Sequence, residues 1–275
     1  MSNITPDSSP ADTTPAAPLA VVTGASSGIG RALARQFADH GFDVVIAAED
    51  AELDDAAAEL NRSGRVVHPV RVDLSTPEGV SELFAAVTST GRPVDAAAIN
   101  AGIGVGGRFD ETDLDRDLEL VDLNVRSTVH LAKLLVRPMV ARGEGRLLFT
   151  ASIAATAPGP YHATYAASKA FVHSFAEAIR TELEDTGVTV TSLMPGPTET
   201  EFFDRADMSD TKVGSGKKDD ADTVARQGFE ALMDGKDHVV AGSLLNKVQA
   251  TAAKVLPATA GAATQAAMTK PGSGD

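Results

Sequence analysis

Tyr165 and Lys169 stand four residues apart in the run YAASK, a spacing that puts both side chains on one face of a helix. A phenol ordinarily keeps its proton to about pH 10, and a neighbouring ammonium favours the phenolate. The pair therefore predicts Tyr165 as an acid/base group working nearer neutrality, with Lys169 lowering its pKa. Ser152 follows the apolar run RLLFTA, and its hydroxyl can hold a carbonyl oxygen beside that phenol. A turn or cap residue is the plainer reading of a single serine. Asn124 falls within a long helical stretch, where asparagine is disfavoured unless it has a task, a solvent face or partners in the core. Asn124, Ser152, Tyr165 and Lys169 form the candidate catalytic set.

A second group of residues reads as a nucleotide cradle. Gly24, Ser26, Ser27, Gly28, Ile29 and Gly30 lie in TGASSGIG, between a short apolar strand and a helix. Glycines there let the chain turn sharply and let a diphosphate approach the free N–H groups of the helix start. Glu49 stands just past the second strand, where a carboxylate accepts hydrogen bonds from ribose hydroxyls and repels a phosphate on them. Glu49 thus favours NAD over NADP, although Arg31 or Arg71 leaves NADP open. Asp73 and Leu74 end the third strand and either reach an adenine or shape the approach to the next helix. Asn100, Ala101 and Gly102 end the fourth strand, with backbone tolerant of close approach.

These residues must be positioned by a regular framework. Strands are expected over 19–23, 43–47, 66–72, 94–99, 146–151, 188–194 and 238–241. Helices are expected over 28–40, 53–62, 76 onward, 113–140 with a bend near Pro138, 161–184 and 221–233. Such alternation predicts an α/β fold: a doubly wound, Rossmann-type parallel sheet of about seven strands with helices on both faces, in a single domain. Residues 1–17, rich in proline and acids, read as a disordered leader, and 18–242 as the catalytic domain. The polar stretch 199–222 reads as a flexible substrate lid. Residues 243–275 read as a helical or partly disordered tail with a weak stripe of Leu245, Val248, Ala252 and Val255.

The 275 residues hold 24 basic and 38 acidic side chains, a formal net charge of -14, and no cysteine. That charge argues against nucleic acid as a partner. No apolar run approaches the roughly 18 residues of a membrane span. Absent cysteines exclude disulfides and thiolate chemistry and suit a reducing compartment, so a cytoplasmic location is expected. The histidines, His68, His130 and His162 among them, lack ligand spacing, and no metal site is expected.

TGASSGIG, NAG, Asn124, Ser152 and YAASK, in this order, resemble the short-chain dehydrogenase/reductase family across residues 19–242, in its compact single-domain branch. The resemblance implies that Tyr165 exchanges a proton with an alcohol or carbonyl, that Ser152 orients the substrate oxygen and that Lys169 also holds the nicotinamide ribose. Asn124 would support a water linking Lys169 to solvent. Pro195, Gly196, Thr198 and Thr200 resemble the family's segment after the sixth strand, with Thr200 or Thr198 on the nicotinamide carboxamide. The implied function is hydride transfer between NAD or NADP and an alcohol or carbonyl. A catalytically idle nucleotide-sensing regulator or scaffold, and an epimerase or dehydratase, are the alternatives. The resemblance also implies a homodimer or homotetramer paired through long helices; the apolar stripe of Leu131, Leu134 and Leu135 is consistent with that, and core packing explains it equally. Expected substrate walls are Ile103, Gly104, Phe109, Pro158, Tyr161, His162, Met194 and Phe202. Lys212, Lys217 and Lys218 either attract an anionic substrate or are solvated lid residues.

Overall fold

A computed structural model describes residues 16–243, 246 and 257–274. Residues 1–15 of the expected leader, and Leu245, Val248, Ala252 and Val255 of the expected tail stripe, lie outside the described residues.

Seven parallel strands form one sheet in the order β3-β2-β1-β4-β5-β6-β7. They are β1 (Leu19–Thr23), β2 (Asp43–Ala48), β3 (Val67–Arg71), β4 (Ala96–Ile99), β5 (Gly145–Thr150), β6 (Val188–Pro195) and β7 (His238–Ala241). Burial on both faces explains why the inner strands read as unbroken apolar runs rather than alternating ones. Side chains still alternate: Ala20 and Val22 of β1 join one core, while Leu19 and Val21 join the other.

The first core is roofed by α1 (Gly28–Asp39), α2 (Glu52–Leu60) and α9 (Ala221–Met233). Phe37 is its hub, edge-on to Phe42 at 5.3 Å and to Phe229 at 5.2 Å between ring centres. The second core is covered by α3 (Pro77–Ser89), α5 (Thr128–Arg142) and α6 (Ala163–Glu182). Thr76 caps α3 by accepting a hydrogen bond from the Gly79 N–H at 3.0 Å, with Pro77 opening the helix.

The stretch 113–140 departs from its expected form. It runs as α4 (Leu114–Val121), a π-helical turn Asp122–Ser127, and α5, with Pro138 held inside α5. The irregularity therefore sits at Asn124, not at the proline. The expected helix over 161–184 starts later, at Ala163, because Tyr161 takes a left-handed φ of 63°.

The polar stretch 199–222 carries two short helices, α7 (Phe202–Arg205) and α8 (Lys212–Ser215). Its backbone is pinned: the Gly106 N–H donates to Ala206 O at 2.8 Å and Arg116 Nη2 donates to Arg205 O at 2.9 Å. Phe203, Ala206 and Met208 form a small core of their own beneath it. The described tail contains α10 (Ala258–Thr269). Among the described residues, no helix is long and apolar enough to cross a membrane, and no three potential ligands cluster as a metal site.

Candidate active site

The strand order reverses between β1 and β4, so the loops leaving their carboxyl ends diverge and open a crevice there. A cavity of about 600 Å³ occupies this place. The glycine turn forms its floor. Gly24 has φ of +65°, and a Cβ on Gly30 would come within 1.9 Å of the Gly24 carbonyl oxygen. Both positions exclude any larger residue, which keeps the turn tight against α1. Ser27, the N-cap of α1, makes no side-chain capping bond, so the first N–H groups of that helix remain available to an anion.

At one end of the cavity lie Glu49, Asp50, Asp73 and Glu119. Partial burial raises the Glu49 pKa, and the neighbouring charges of Asp73, Glu119 and Asp50 push it the same way against Arg205. Asp50 Oδ2 accepts from Ser26 Oγ at 2.9 Å, while its Oδ1 is buried without a partner. Asp73 Oδ1 accepts from the Ser75 N–H at 2.8 Å, so this residue both shapes the approach to α3 and faces the cavity. Neither Arg31 nor Arg71 lines the cavity. Arg31 is turned away, its Nε donating to Glu59 Oε2 at 3.1 Å.

At the other end β5 delivers Ser152 and α6 delivers Tyr165 and Lys169. Ser152 hydrogen-bonds the Tyr165 phenol. Lys169 is 5% exposed, and its Nζ donates to the Thr150 carbonyl at 2.9 Å. That ammonium lies 5.8 Å from the Tyr165 ring centre. Burial pushes the phenol up to about 12, opposed by the Ser152 hydrogen bond. Burial also pushes Lys169 down to about 8. Burial thus dominates the shift of the phenol, while the neighbouring ammonium is held by the Thr150 carbonyl.

Every residue expected to bind a cofactor lines this one cavity: Gly24, Ser26, Ser27, Gly28, Ile29, Gly30, Glu49, Asp73, Leu74, Asn100, Ala101, Gly102, Tyr165, Lys169, Pro195, Gly196, Thr198 and Thr200. Thr198 Oγ1 donates to Gly196 O at 2.9 Å, whereas Thr200 Oγ1 accepts from the Phe202 N–H at 3.3 Å. Of the expected catalytic set, Ser152, Tyr165 and Lys169 line the cavity and Asn124 does not. It is 1% exposed and lies behind the wall. Its Oδ1 accepts from the Ile103 N–H at 3.0 Å, and its Nδ2 donates to Ile103 O at 2.9 Å and to Ser168 Oγ at 3.0 Å. Asn124 is therefore a positioning residue that fastens the segment after β4 to α6.

Of the expected substrate walls, Ile103, Gly104, His162 and Phe202 line the cavity. Phe202 packs on Tyr165 with ring centres 5.0 Å apart. Phe109 is 73% exposed, Met194 is buried in the second core, and Pro158 and Tyr161 face elsewhere. Lys212, Lys217 and Lys218 also lie off the wall; Lys218 Nζ sits 5.1 Å from the centre of the Phe203 ring.

One part of the wall had no signal in the sequence. Gly261, Thr264, Gln265, Met268 and Thr269 of α10 close the substrate end. Thr269 Oγ1 donates to Pro160 O at 2.8 Å, and the Gly274 N–H donates to Asp210 O at 2.8 Å. The tail thus bridges the loop before α6 and the segment 199–222. An alanine-rich helix of low amphipathicity does not announce which face it buries.

The glycine floor, the uncapped start of α1, the orphaned Asp50 oxygen and the Tyr165–Lys169 pair fit a nicotinamide dinucleotide laid across the crevice. Comparison with known proteins agrees. A family model described as short chain dehydrogenase matches residues 18–210. A short chain dehydrogenase of Pseudocercospora fijiensis is 36% identical over 186 residues, which are 66% of this chain and 60% of that protein's length. The chain thus matches about 60% of that relative. A solved short-chain dehydrogenase from Sphingobium yanoikuyae in complex with NADPH superposes with a TM-score of 0.76 at 28% identity, covering 81% of this chain and 87% of that one. A short chain dehydrogenase/reductase from Burkholderia phymatum in complex with NAD gives 0.73 at 27% identity, covering 82% and 88%.

Proposed function

The chain belongs to the short-chain dehydrogenase/reductase family, and from that premise we propose that it is a NAD(P)-dependent oxidoreductase that interconverts an alcohol and its carbonyl counterpart. The observation that carries the reading is a single cavity joining the glycine turn to Ser152, Tyr165 and Lys169. A bound nicotinamide supplies or accepts the hydride. The residues of this chain do the rest. Ser152 holds the substrate oxygen beside the phenol, and Tyr165 gives that oxygen its proton in reduction or takes it in oxidation. The Lys169 ammonium, 5.8 Å from the ring centre, favours the phenolate once the proton has left. Phe202 and α10 exclude water from the reacting end.

NAD is the preferred cofactor in this proposal. Glu49, Asp50, Asp73 and Glu119 crowd the end that receives the adenosine, and Arg31 is engaged by Glu59. A ribose phosphate would add charge where carboxylates already repel one another, whereas ribose hydroxyls can donate to Asp50 Oδ1 or Glu49. A cytoplasmic site of action fits the cysteine-free chain. Association into a homo-oligomer is also proposed, through the exposed apolar residues Leu114, Leu118 and Val121 of α4.

The test compares the wild type with Tyr165→Phe. The variant should bind NADH as the wild type does, followed by fluorescence or thermal shift, and lose about a hundredfold to ten-thousandfold in turnover. NADH should bind more tightly than NADPH to both. Undiminished turnover of Tyr165→Phe would overturn the assignment of the acid/base. Tight binding without any turnover by the wild type would favour an idle nucleotide sensor.

A further inference from the structure

The short helix α7 bridges the two sides of the crevice. Just before it, Thr200 rests on the turn after β1: its Cγ2 lies 2.7 Å from where a Cβ of Gly28 would stand. At its far end the chain is held by the segment after β4. The Gly106 N–H donates to Ala206 O at 2.8 Å, and a Cβ on Gly104 would come within 2.5 Å of the Phe202 ring. Arg116 of α4 braces the same stretch, donating from Nη2 to Arg205 O at 2.9 Å and pairing with Asp207. Arg205 ends this bridge, and its side chain lines the cavity while staying 54% exposed. Its Nη2 donates to Glu201 Oε2 at 2.5 Å, and among the described residues its Nε and Nη1 have no hydrogen-bond partner. A guanidinium carries five N–H donors in a planar fork, so most of this one is unspent.

The charges around the cavity leave work for that cation. Glu49, Asp50, Asp73, Glu119 and Glu201 line it, and the glycine turn TGASSGIG holds no basic side chain. The other cations described on the wall are committed, Lys169 to the Thr150 carbonyl and Arg116 to Asp207. Arg205 stands close enough to Glu49 for its charge to oppose the acidic neighbours there, which places it toward the nucleotide end. A dinucleotide adds the negative charge of its diphosphate to this acidic crevice, and the N–H groups at the start of α1 meet that charge from one side only. We propose that Arg205 is a cofactor-binding residue: from α7 its guanidinium pairs with the diphosphate of the dinucleotide whose other side rests on the glycine turn. The inference rests on the reading of the cavity as a dinucleotide site and adds the residue that clasps the charged centre of the ligand. A planar fork matches phosphate oxygens better than an ammonium does. Glu201 competes with the diphosphate for the same donors.

The experiment measures the Kd of the full chain for NADH, NADPH, ADP-ribose and adenosine, by calorimetry and by displacement of NADH fluorescence. Arg205→Gln should weaken NADH, NADPH and ADP-ribose alike by about tenfold, the size of one charge-assisted hydrogen bond. Adenosine, which lacks phosphate, should bind the variant as it binds the wild type. The difference should shrink at high salt, because the guanidinium is exposed. Arg205→Lys should recover part of the loss, and Glu201→Gln should tighten ADP-ribose by about threefold, the scale of one exposed ion pair. Equal affinity of wild type and Arg205→Gln for ADP-ribose would overturn the assignment. A loss confined to NADPH would also overturn it, by moving the guanidinium to the ribose phosphate. Failure of the wild type to bind any of the four ligands would instead sink the dinucleotide reading and this assignment with it.

Discussion

Lys169 holds its charge where the protein offers one hydrogen bond, from Nζ to the Thr150 carbonyl. Burial sets its pKa at about 8 against an ordinary 10.5. Between those values the unfolded chain binds more protons at this residue than the folded one, so stability rises with pH across that window. Tyr165, pushed up from 10.0 to about 12, acts in the opposite sense but only above 10.0. From pH 8 to 10 the wild type should therefore gain ~2 kcal/mol relative to Lys169→Met in chemical denaturation. Parallel curves would mean that the ammonium is better solvated than its burial implies. The spacing of Tyr165 and Lys169 was legible as a shared helical face. The direction of the phenol's shift was not, because burial depends on Phe202 and α10, which come from distant parts of the chain.

The π-helical turn Asp122–Ser127 lends one side chain, Leu123, to the cavity and acts on it mainly from behind the wall. Such turns widen a helix locally and are frequent at functional sites. Here the turn presents Asn124 to both Ile103 and Ser168, tying the loop after β4 to α6. Asn124→Ala leaves the Ile103 N–H and carbonyl without these partners. We expect a loss of about 2 kcal/mol in stability and roughly tenfold in turnover, as Ile103 and Gly102 shift against the cavity. Asn124→Asp, which keeps the acceptor for Ile103 N–H, should retain more of both. Turnover and unfolding midpoint equal to wild type in Asn124→Ala would refute the positioning role. An asparagine inside an apolar helix marked the place in the sequence. The extra residue in the turn was hidden, since helical periodicity tolerates a local slip without changing composition.

For the whole molecule, core packing is the reading of the Leu131, Leu134 and Leu135 stripe that the structure supports. Leu131 and Leu135 are each 1% exposed and belong to the second core, with Leu134 packed beside them. The exposed apolar stripe lies one helix earlier, at Leu114, Leu118 and Val121, which are 69%, 52% and 39% exposed. Their spacing of four and three residues puts them on one face of α4. If the proposed homo-oligomer pairs through this face, Leu118→Glu should give a smaller species than the wild type in sedimentation while leaving the unfolding midpoint of the isolated fold nearly unchanged. Identical sedimentation of variant and wild type would exclude this face. The same distinction between core and surface governs the tail. Its α10 was expected only as a helical or partly disordered appendage, yet it forms a wall of the cavity.

Local rules were enough to read the sheet, the glycine turn and the catalytic helix face from the sequence. Short apolar runs must pair as buried strands, glycines mark the turn, and Tyr165 and Lys169 share a face by helical geometry alone. The doubly wound form of the sheet followed from right-handed crossovers. Two things were decided only by tertiary structure: which carboxylates crowd Glu49, and that α10 returns to close the cavity. Each depends on contacts between residues far apart in the chain. Burial and the crowding of charges are properties of such contacts, and no local pattern of residues encodes them.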